Sequence, residues 1–362
     1  METTEASEVA GLARLNGIAD RFRPYEPSKL ARGADGRSFL LARNENPAQP
    51  LPSVVAAISG AAAEVNRYPD PACADLRAEL ARRFDLPEDH ITVGAGSVTF
   101  IQALFAAATE PGATLVYPWR SFELYSVLAD LAGFSSVRVP LTSDRHDLDA
   151  MAAAVDDRTR LVMICNPNNP TGTAVSSDDL DRFLGSLPPT CVVLLDEAYG
   201  EYSRHPGLGV ALLRSWPNLI VIRTFSKAYG LAGLRVGYMF AHPYFTSRIQ
   251  RLMLPFSVSH VAQVAAIASL RAEDELLSRV QAAVAERERV RAALLGLGFE
   301  VPPSEANFVW LPLGERTKEF TETCELAGVN VQPFSDEGVR ISVGTAEDND
   351  AFLAAAQRHR FR

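Results

Sequence analysis

The chain has 362 residues, of which 47% are hydrophobic and 22% charged, as is typical of a globular protein. Its formal net charge of −9 argues against a basic surface for nucleic acid or acidic membranes, so we expect neither as a partner. No run of 18 apolar residues occurs and the acidic start METTEASEVAGLARL does not resemble a secretory signal, which predicts a cytoplasmic protein without a membrane span.

Helix and strand patterns alternate from about residue 50. The patterns predict helices at 52–65, 73–84, 97–109, 121–133, 147–155 and 176–187, and strands at 91–96, 113–118, 135–141, 160–166, 191–199 and 219–225. The last three strands are almost continuously apolar, as buried parallel strands are. This alternation predicts an α/β fold with a mainly parallel sheet between helices.

The pattern changes after about residue 257. Two long helices are predicted within 259–297, followed by short strands at 307–313, 329–334 and 338–344. We therefore predict an irregular N-terminal arm (1–43), a large domain (44–258) and a smaller α+β domain (259–362).

The cysteines and histidines show no metal-binding spacing. Cys73, Cys165, Cys191 and Cys324 are scattered, without a CxxC pair, and the six histidines form neither HxH nor HExxH. We expect buried, reduced thiols and no metal site.

Polar residues stand where predicted strands end. GAGSV (94–98) follows the first strand, NPNNPTG (166–172) follows RLVMIC, Asp196 ends CVVLLD, and Lys227 follows LIVIRTFS. Ligands of open α/β sheets bind beyond the carboxyl ends of the strands. These four segments are therefore predicted to meet at one site.

Lys227 is unusual because only three of the 35 lysines and arginines are lysines. Arginine stays protonated and cannot form an imine at ordinary pH, so a lysine in TFSKAYG is suited to amine chemistry. A surface lysine after a strand is the alternative interpretation of this window.

The other segments indicate a ligand that has an anionic group and a basic ring atom. Gly94 and Gly96, before a helix start, suit a phosphate, as do Ser226 and Arg235, although a tight turn also explains the glycines. Asn169 stands in a proline-stiffened loop, and a buried Asp196 needs a cationic partner. Pyridoxal 5′-phosphate combines a phosphate, a basic ring nitrogen and an aldehyde, and we predict it as the cofactor.

The motifs NPNNPTG, DEAY and TFSKAYGLAGLRVGY together resemble those of fold-type I pyridoxal-phosphate aminotransferases of the histidinol-phosphate aminotransferase branch. The resemblance covers nearly the whole chain, including LARNENP (41–47), RYPD (67–70) and GVRISVG (338–344). WRSFELY (119–125) and RTFSKAYGLAGLR are more similar to actinobacterial aromatic-amino-acid (phenylalanine) aminotransferases. The resemblance implies a homodimer and an arm that joins the small domain.

The resemblance also implies a role for each site residue. Lys227 would link covalently to the cofactor and move protons, Asp196 would pair with the ring nitrogen, and Arg340 and Asn44 would lie at the substrate. The remaining residues would hold the cofactor: Asn169 and Tyr199 at its phenolic oxygen, Phe122 on its ring, and Ser97, Val98, Thr224, Ser226, Arg235 and a neighbouring subunit's Tyr68 at its phosphate.

One departure from the histidinol-phosphate pattern concerns substrate choice. Val98 occupies a position where those enzymes often carry Asp, Asn or Glu, and an apolar side chain cannot bind a substrate phosphate. We therefore expect transamination of an aromatic L-amino acid with 2-oxoglutarate. Histidinol phosphate is the alternative donor, followed by a cofactor-dependent decarboxylase or lyase and by a non-catalytic cofactor-binding sensor.

Overall fold

A computed structural model describes residues 30–360 of the chain. The first 29 residues of the predicted arm lie outside this part. Its strands are β1 (Phe39–Leu40), β2 (Ile91–Gly94), β3 (Thr114–Trp119), β4 (Ser135–Pro140), β5 (Thr159–Cys165), β6 (Val192–Asp196), β7 (Leu219–Thr224), β8 (Gly237–Ala241), β9 (Phe308–Leu311), β10 (Val329–Asn330), β11 (Gln332–Phe334) and β12 (Gly338–Ser342).

The helices that connect and flank these strands follow the predicted alternation. They are α1 (Pro52–Ala61), α2 (Ala74–Phe84), α3 (Val98–Ala108), α4 (Leu124–Ala132), α5 (Leu148–Ala153), α6 (Ser177–Ser186), α7 (Leu208–Leu213), α8 (Pro243–Leu252), α9 (His260–Arg271), α10 (Glu273–Gly296), α11 (Thr317–Leu326) and α12 (Ala346–Arg360). None of these helices combines the length and apolar character needed to cross a bilayer.

Seven strands form the larger sheet in the order β2-β8-β7-β6-β5-β3-β4. The strands from β7 to β4 run parallel, whereas β8 is antiparallel to both of its neighbours. This arrangement confirms the predicted α/β class with a mainly parallel sheet. The sequence patterns had assigned no element to β8 or to α7 and α8.

The apolar runs of the central strands serve two hydrophobic cores at once. Successive side chains of a strand point to opposite faces of the sheet. Val162 and Val193 pack in the core on one face, while Leu161 and Leu194 pack in the core on the other. Because helices cover both faces, the strands lack the polar alternation of a half-exposed sheet.

A second, smaller unit packs around its own core. Antiparallel strands in the order β11-β12-β9 form its sheet, and β1 pairs in parallel with β10. Its core includes Phe320, Phe352 and Leu41, so the chain before the large sheet contributes to the small unit. The predicted domain boundaries stay predictions.

A buried ion pair lies beneath the carboxyl end of β6. Glu197 accepts hydrogen bonds from Arg223 Nε (2.9 Å) and Nη2 (2.7 Å) through Oε2, and from the Gly209 amide (2.8 Å) through Oε1. Both charged side chains are 3% exposed. Glu197 thus fixes the end of β6 to β7 and α7.

We predict that Glu197→Ala lowers the free energy of unfolding by about 3 kcal/mol, because the Arg223 charge then stays buried without its main partner. Urea unfolding measures the change. Arg214→Ala, which breaks the exposed pair with Asp85, is the matched control and should cost less than about 1 kcal/mol. Equal effects of the two substitutions would contradict this account.

Candidate active site

A cavity of about 360 Å³ opens between the carboxyl ends of the large sheet and the small unit. Register brings the strand ends together, since Cys165 of β5 lies beside Asp196 of β6, and Asp196 lies beside Ile222 of β7. Twelve residues predicted from the sequence line the cavity: Asn44, Ser97, Val98, Phe122, Asn169, Asp196, Tyr199, Thr224, Ser226, Lys227, Arg235 and Arg340.

The Lys227 amine faces the cavity and donates a hydrogen bond to the carbonyl of Arg43 (3.0 Å). Burial, together with the positive charges of Arg340 and Arg235, lowers the pKa of Lys227 from about 10.5 to about 8, although Glu45 and Asp196 oppose the change. Nucleophilic attack and proton abstraction both require a neutral amine. The lowered pKa therefore increases the fraction of neutral Lys227 near physiological pH.

Asp196 ends β6 and is 3% exposed. Burial raises its pKa to about 6, while hydrogen bonds from the Tyr125 hydroxyl to Oδ2 (2.8 Å) and from the Ala198 amide to Oδ1 (3.0 Å) favour the charged form. A buried carboxylate that faces a cavity is stabilised further by a cationic ligand. A protonated ring nitrogen is such a ligand.

The start of α3 and the loop after β7 form an anion cradle. Ser226 Oγ accepts hydrogen bonds from Thr224 Oγ1 (2.9 Å) and Arg235 Nη1 (3.2 Å), which leaves its own proton for a ligand. The first amides of α3 have no acceptor within the helix, as at any helix N-terminus, and are suited to an anion.

Gly96 makes the cradle possible. It has a φ of +85°, and a Cβ there would lie 2.4 Å from Nη2 of Arg235. Any side chain at this position would therefore displace the guanidinium from the start of α3.

A second set of polar groups surrounds Arg340, whose side chain is almost fully buried. Nη1 donates to Asn169 Oδ1 (2.6 Å) and Nη2 to the carbonyl of Ala42 (2.5 Å), whereas Nε has no hydrogen-bond partner among the described residues. A buried donor without a partner is costly, so Nε favours an anionic ligand.

Asn44 connects the small unit to Tyr199. Its Nδ2 donates to the Tyr199 hydroxyl (2.9 Å), and its backbone and side chain are held by Ser342 and Asn307. Because the Tyr199 oxygen accepts this bond, its proton is available to a ligand. Burial raises the pKa of Tyr199 to about 12, so the hydroxyl stays a donor.

Apolar side chains form part of the cavity lining, beside polar residues that include Ser121 and Gln332. Val98 and Phe122 stand on the large unit and Phe334 on the small unit, and the ring of Phe122 meets that of Tyr125 edge-on at 5.5 Å. The sequence analysis had not singled out Phe334 or Tyr125. Tyr125 lies three residues after Phe122, and this helical spacing was the available signal.

Tyr68 is the predicted site residue that the structure does not bring to the cavity. Its side chain is 84% exposed, and its ring packs on Phe256 at 4.8 Å. Within this chain it cannot reach the anion cradle.

The groups around the cavity fit pyridoxal 5′-phosphate. The cradle at Gly96 and Arg235 suits the phosphate, Asp196 suits the ring nitrogen, and Lys227 is an amine for the aldehyde. The described residues contain no group of three or more His, Cys, Asp or Glu side chains that could hold a metal ion.

Comparisons with known proteins identify the family of the chain. Residues 38–355 match the model of the family described as aminotransferase class I and II. The chain is 56% identical to an aromatic amino acid aminotransferase of Thermobifida fusca, over 95% of this chain and 97% of that protein. It is 52% identical to one of Streptomyces avermitilis, over 96% of this chain and 97% of that protein.

Among solved structures, the fold is similar to that of histidinol-phosphate aminotransferase from Sinorhizobium meliloti in complex with pyridoxal-5′-phosphate. The TM-score is 0.88 at 28% sequence identity, covering 98% of this chain and 99% of that one.

We predict that modification of Lys227 in the cofactor-free protein by an amine-selective reagent accelerates with pH and reaches half its limit near pH 8, because only the neutral amine reacts. Peptide mass spectrometry measures the rate, with exposed Lys318 as the internal reference. Arg340→Gln should move the midpoint upward by removing a neighbouring positive charge. A midpoint near 10 in the unsubstituted protein would contradict the proposed environment.

Proposed function

The chain belongs to the class I and II aminotransferases, and we propose that it transfers the amino group of an aromatic L-amino acid to 2-oxoglutarate with pyridoxal 5′-phosphate. The products are the aromatic 2-oxo acid and L-glutamate. The family match confirms the predicted aminotransferase class.

One observation carries the proposal: the cavity places the Lys227 amine, the Asp196 carboxylate and the open Nε of Arg340 around an apolar wall. The amine, the carboxylate and the guanidinium serve any amino acid substrate. The apolar side chains of Val98, Phe122 and Phe334 favour an aromatic substrate side chain over a phosphorylated one, because they offer a dianion no side-chain donor. The relatives at 52–56% identity support the same substrate class.

When bound, the cofactor supplies an electron sink that makes the substrate α-proton removable. In this proposal Lys227 is the group that accepts the α-proton and returns it. Its lowered pKa favours the neutral amine that this step needs. Release of Lys227 from the Arg43 carbonyl would free the amine to accept the α-proton and to return it.

The remaining polar residues bind and orient. Asp196 would keep the cofactor ring nitrogen protonated, and Tyr199 and Asn169 would donate to its phenolic oxygen. Asn169 Oδ1 already accepts from Arg340, so its Nδ2 is the free donor. Arg340 would bind the substrate α-carboxylate, exchanging its bonds to Asn169 and Ala42 for charged ones.

Contacts at the two ends would fix the cofactor between these groups. Ser226, Arg235, Thr224 and the amides at Ser97 and Val98 would bind its phosphate, and Phe122 would stack on its ring. Asn44 would lie beside the substrate, where it orients Tyr199.

Histidinol phosphate is the second candidate donor. The structural similarity to the Sinorhizobium meliloti enzyme favours it, although the identity is 28% compared with 56% for the aromatic relative.

An amino-donor panel with 2-oxoglutarate tests the function and separates the two donors. Phenylalanine and tyrosine should give a kcat/KM at least about tenfold above that of histidinol phosphate, since one unmatched buried polar group costs about 1–3 kcal/mol. Val98→Asn should narrow this ratio, and Lys227→Ala should remove turnover. A preference for histidinol phosphate would reject the aromatic assignment.

We also infer a homodimer in which Tyr68 completes the partner's cofactor site. Tyr68, Leu254 and Phe256, here called the Tyr68 patch, are large hydrophobic side chains exposed next to one another. Contiguous exposed apolar surface marks an interface, and a two-fold axis would let each subunit lend Tyr68 to the other.

Mixed dimers of Lys227→Ala and Tyr68→Ala subunits test this arrangement. If Tyr68 acts across the interface, a mixed dimer keeps one intact site, and mixing after mild dissociation should restore roughly a quarter of wild-type sites. Each variant alone is the control. No recovery, with mixed dimers present by mass spectrometry, would show that Tyr68 does not act in the partner's site.

A further inference from the structure

We propose that Tyr125 is a positioning residue that holds Asp196 in the orientation and charge state that a cationic ring nitrogen requires. The inference rests on the proposed function. Tyr125 is fully buried behind the cavity and is not among the residues that line it. It therefore acts on the cofactor site through Asp196.

The hydrogen bonds to Asp196 fix its carboxylate on both sides. Oδ2 accepts from the Tyr125 hydroxyl (2.8 Å), and Oδ1 accepts from the Ala198 amide (3.0 Å). Two bonds to opposite oxygens prevent rotation of the carboxylate plane. Each oxygen keeps a further lone pair, so the acid can still accept a bond from a ligand.

Tyr125 also offsets the cost of burying a charge. Burial and the neighbouring Glu197 both disfavour ionised Asp196, and the Tyr125 hydroxyl is the largest contribution in the opposite direction. The pKa of Tyr125 is itself raised well above its usual value, mainly by burial, so the phenol remains a neutral donor. The Ala198 backbone amide, which side-chain substitution does not remove, and the positive charge of Lys227 give further support.

The loop that precedes Tyr125 and α4 is bonded to another wall of the cavity. Ser121 Oγ donates to Asn168 Oδ1 (2.8 Å), and Asn168 Nδ2 donates to the carbonyl of Arg120 (3.1 Å). Phe122 then packs edge-on against Tyr125. One short segment thus sets the plane of the aromatic wall and the position of Asp196 together.

The chain offers a matched control in Tyr117. It is fully buried like Tyr125, and the two rings meet edge-on at 6.4 Å. Its hydroxyl accepts a hydrogen bond from Arg138 Nε (3.0 Å) and does not touch Asp196. Tyr117→Phe and Tyr125→Phe therefore remove the same atom from two fully buried tyrosines, only one of which bonds to Asp196.

The experiment compares wild type, Tyr125→Phe and Tyr117→Phe by the dissociation constant of pyridoxal 5′-phosphate, from fluorescence titration, and by the pH dependence of the bound cofactor's absorbance. Tyr125→Phe should weaken cofactor binding about tenfold and shift the absorbance profile, because a hydrogen bond to a charged group is lost. Tyr117→Phe should change neither readout, even if it lowers thermal stability equally.

Asp196→Asn provides the second arm. Without the carboxylate, adding Tyr125→Phe should weaken cofactor binding less than threefold further. Equal effects of Tyr125→Phe in both backgrounds, or equal cofactor affinities of the two Phe variants, would overturn the proposal. Should Tyr125→Phe fail to fold, Tyr125→His decides, because its N–H can still donate: affinity within threefold of wild type supports the proposal and a tenfold loss rejects it.

These readouts separate the inference from the proposed function. A wild-type protein that binds the cofactor but transaminates no aromatic donor would refute the function, while the affinity comparison would still test Tyr125.

Discussion

The site depends on charges that are buried at the carboxyl ends of the parallel strands. The fold buries the side chains of Asp196, Lys227 and Arg340, and protein groups compensate the charge of each only in part. Burial raises the pKa of the acid and lowers that of the amine, which brings both into the neutral range. Because these charges are only partly compensated, a ligand that carries both a cationic ring nitrogen and anionic groups would stabilise the site.

The short segment 42–44 joins the two structural units at this edge. Ala42 and Arg43 each present a carbonyl to a cationic side chain, Arg340 and Lys227 respectively, and Asn44 bonds to Tyr199. These are the same groups that the proposed reaction must release or redirect. The segment therefore holds the site in order while its bonds can be exchanged for bonds to substrate and cofactor.

In the proposed function, substrate choice depends on an apolar part of the cavity lining that offers no side-chain hydrogen-bond donor. Around Val98, Phe122 and Phe334 there is apolar surface where a phosphorylated donor would need hydrogen-bond donors. In the proposed function these apolar side chains favour the aromatic substrate, while Lys227, Asp196 and Arg340 serve any amino acid. This is consistent with a shared fold at 28% identity and a shared substrate class at above 50%.

Sequence patterns predicted the class of fold and brought Asn169, Asp196, Ser226, Lys227 and Arg235 to one site, because strand ends and glycine turns carry local signals. Asn44, Phe122 and Arg340 were expected at the site only from the family resemblance. The sequence carried no signal for β8, a strand antiparallel to both neighbours, and its pairing with β2 joins segments that are far apart in the chain. Nor could it place Tyr125 against Asp196, 71 residues away, or show that Tyr68 lies outside the cavity of its own chain. Local patterns name the reactive groups, whereas only the packing of distant segments decides which of them are buried, how they are paired, and which proton each can give or accept.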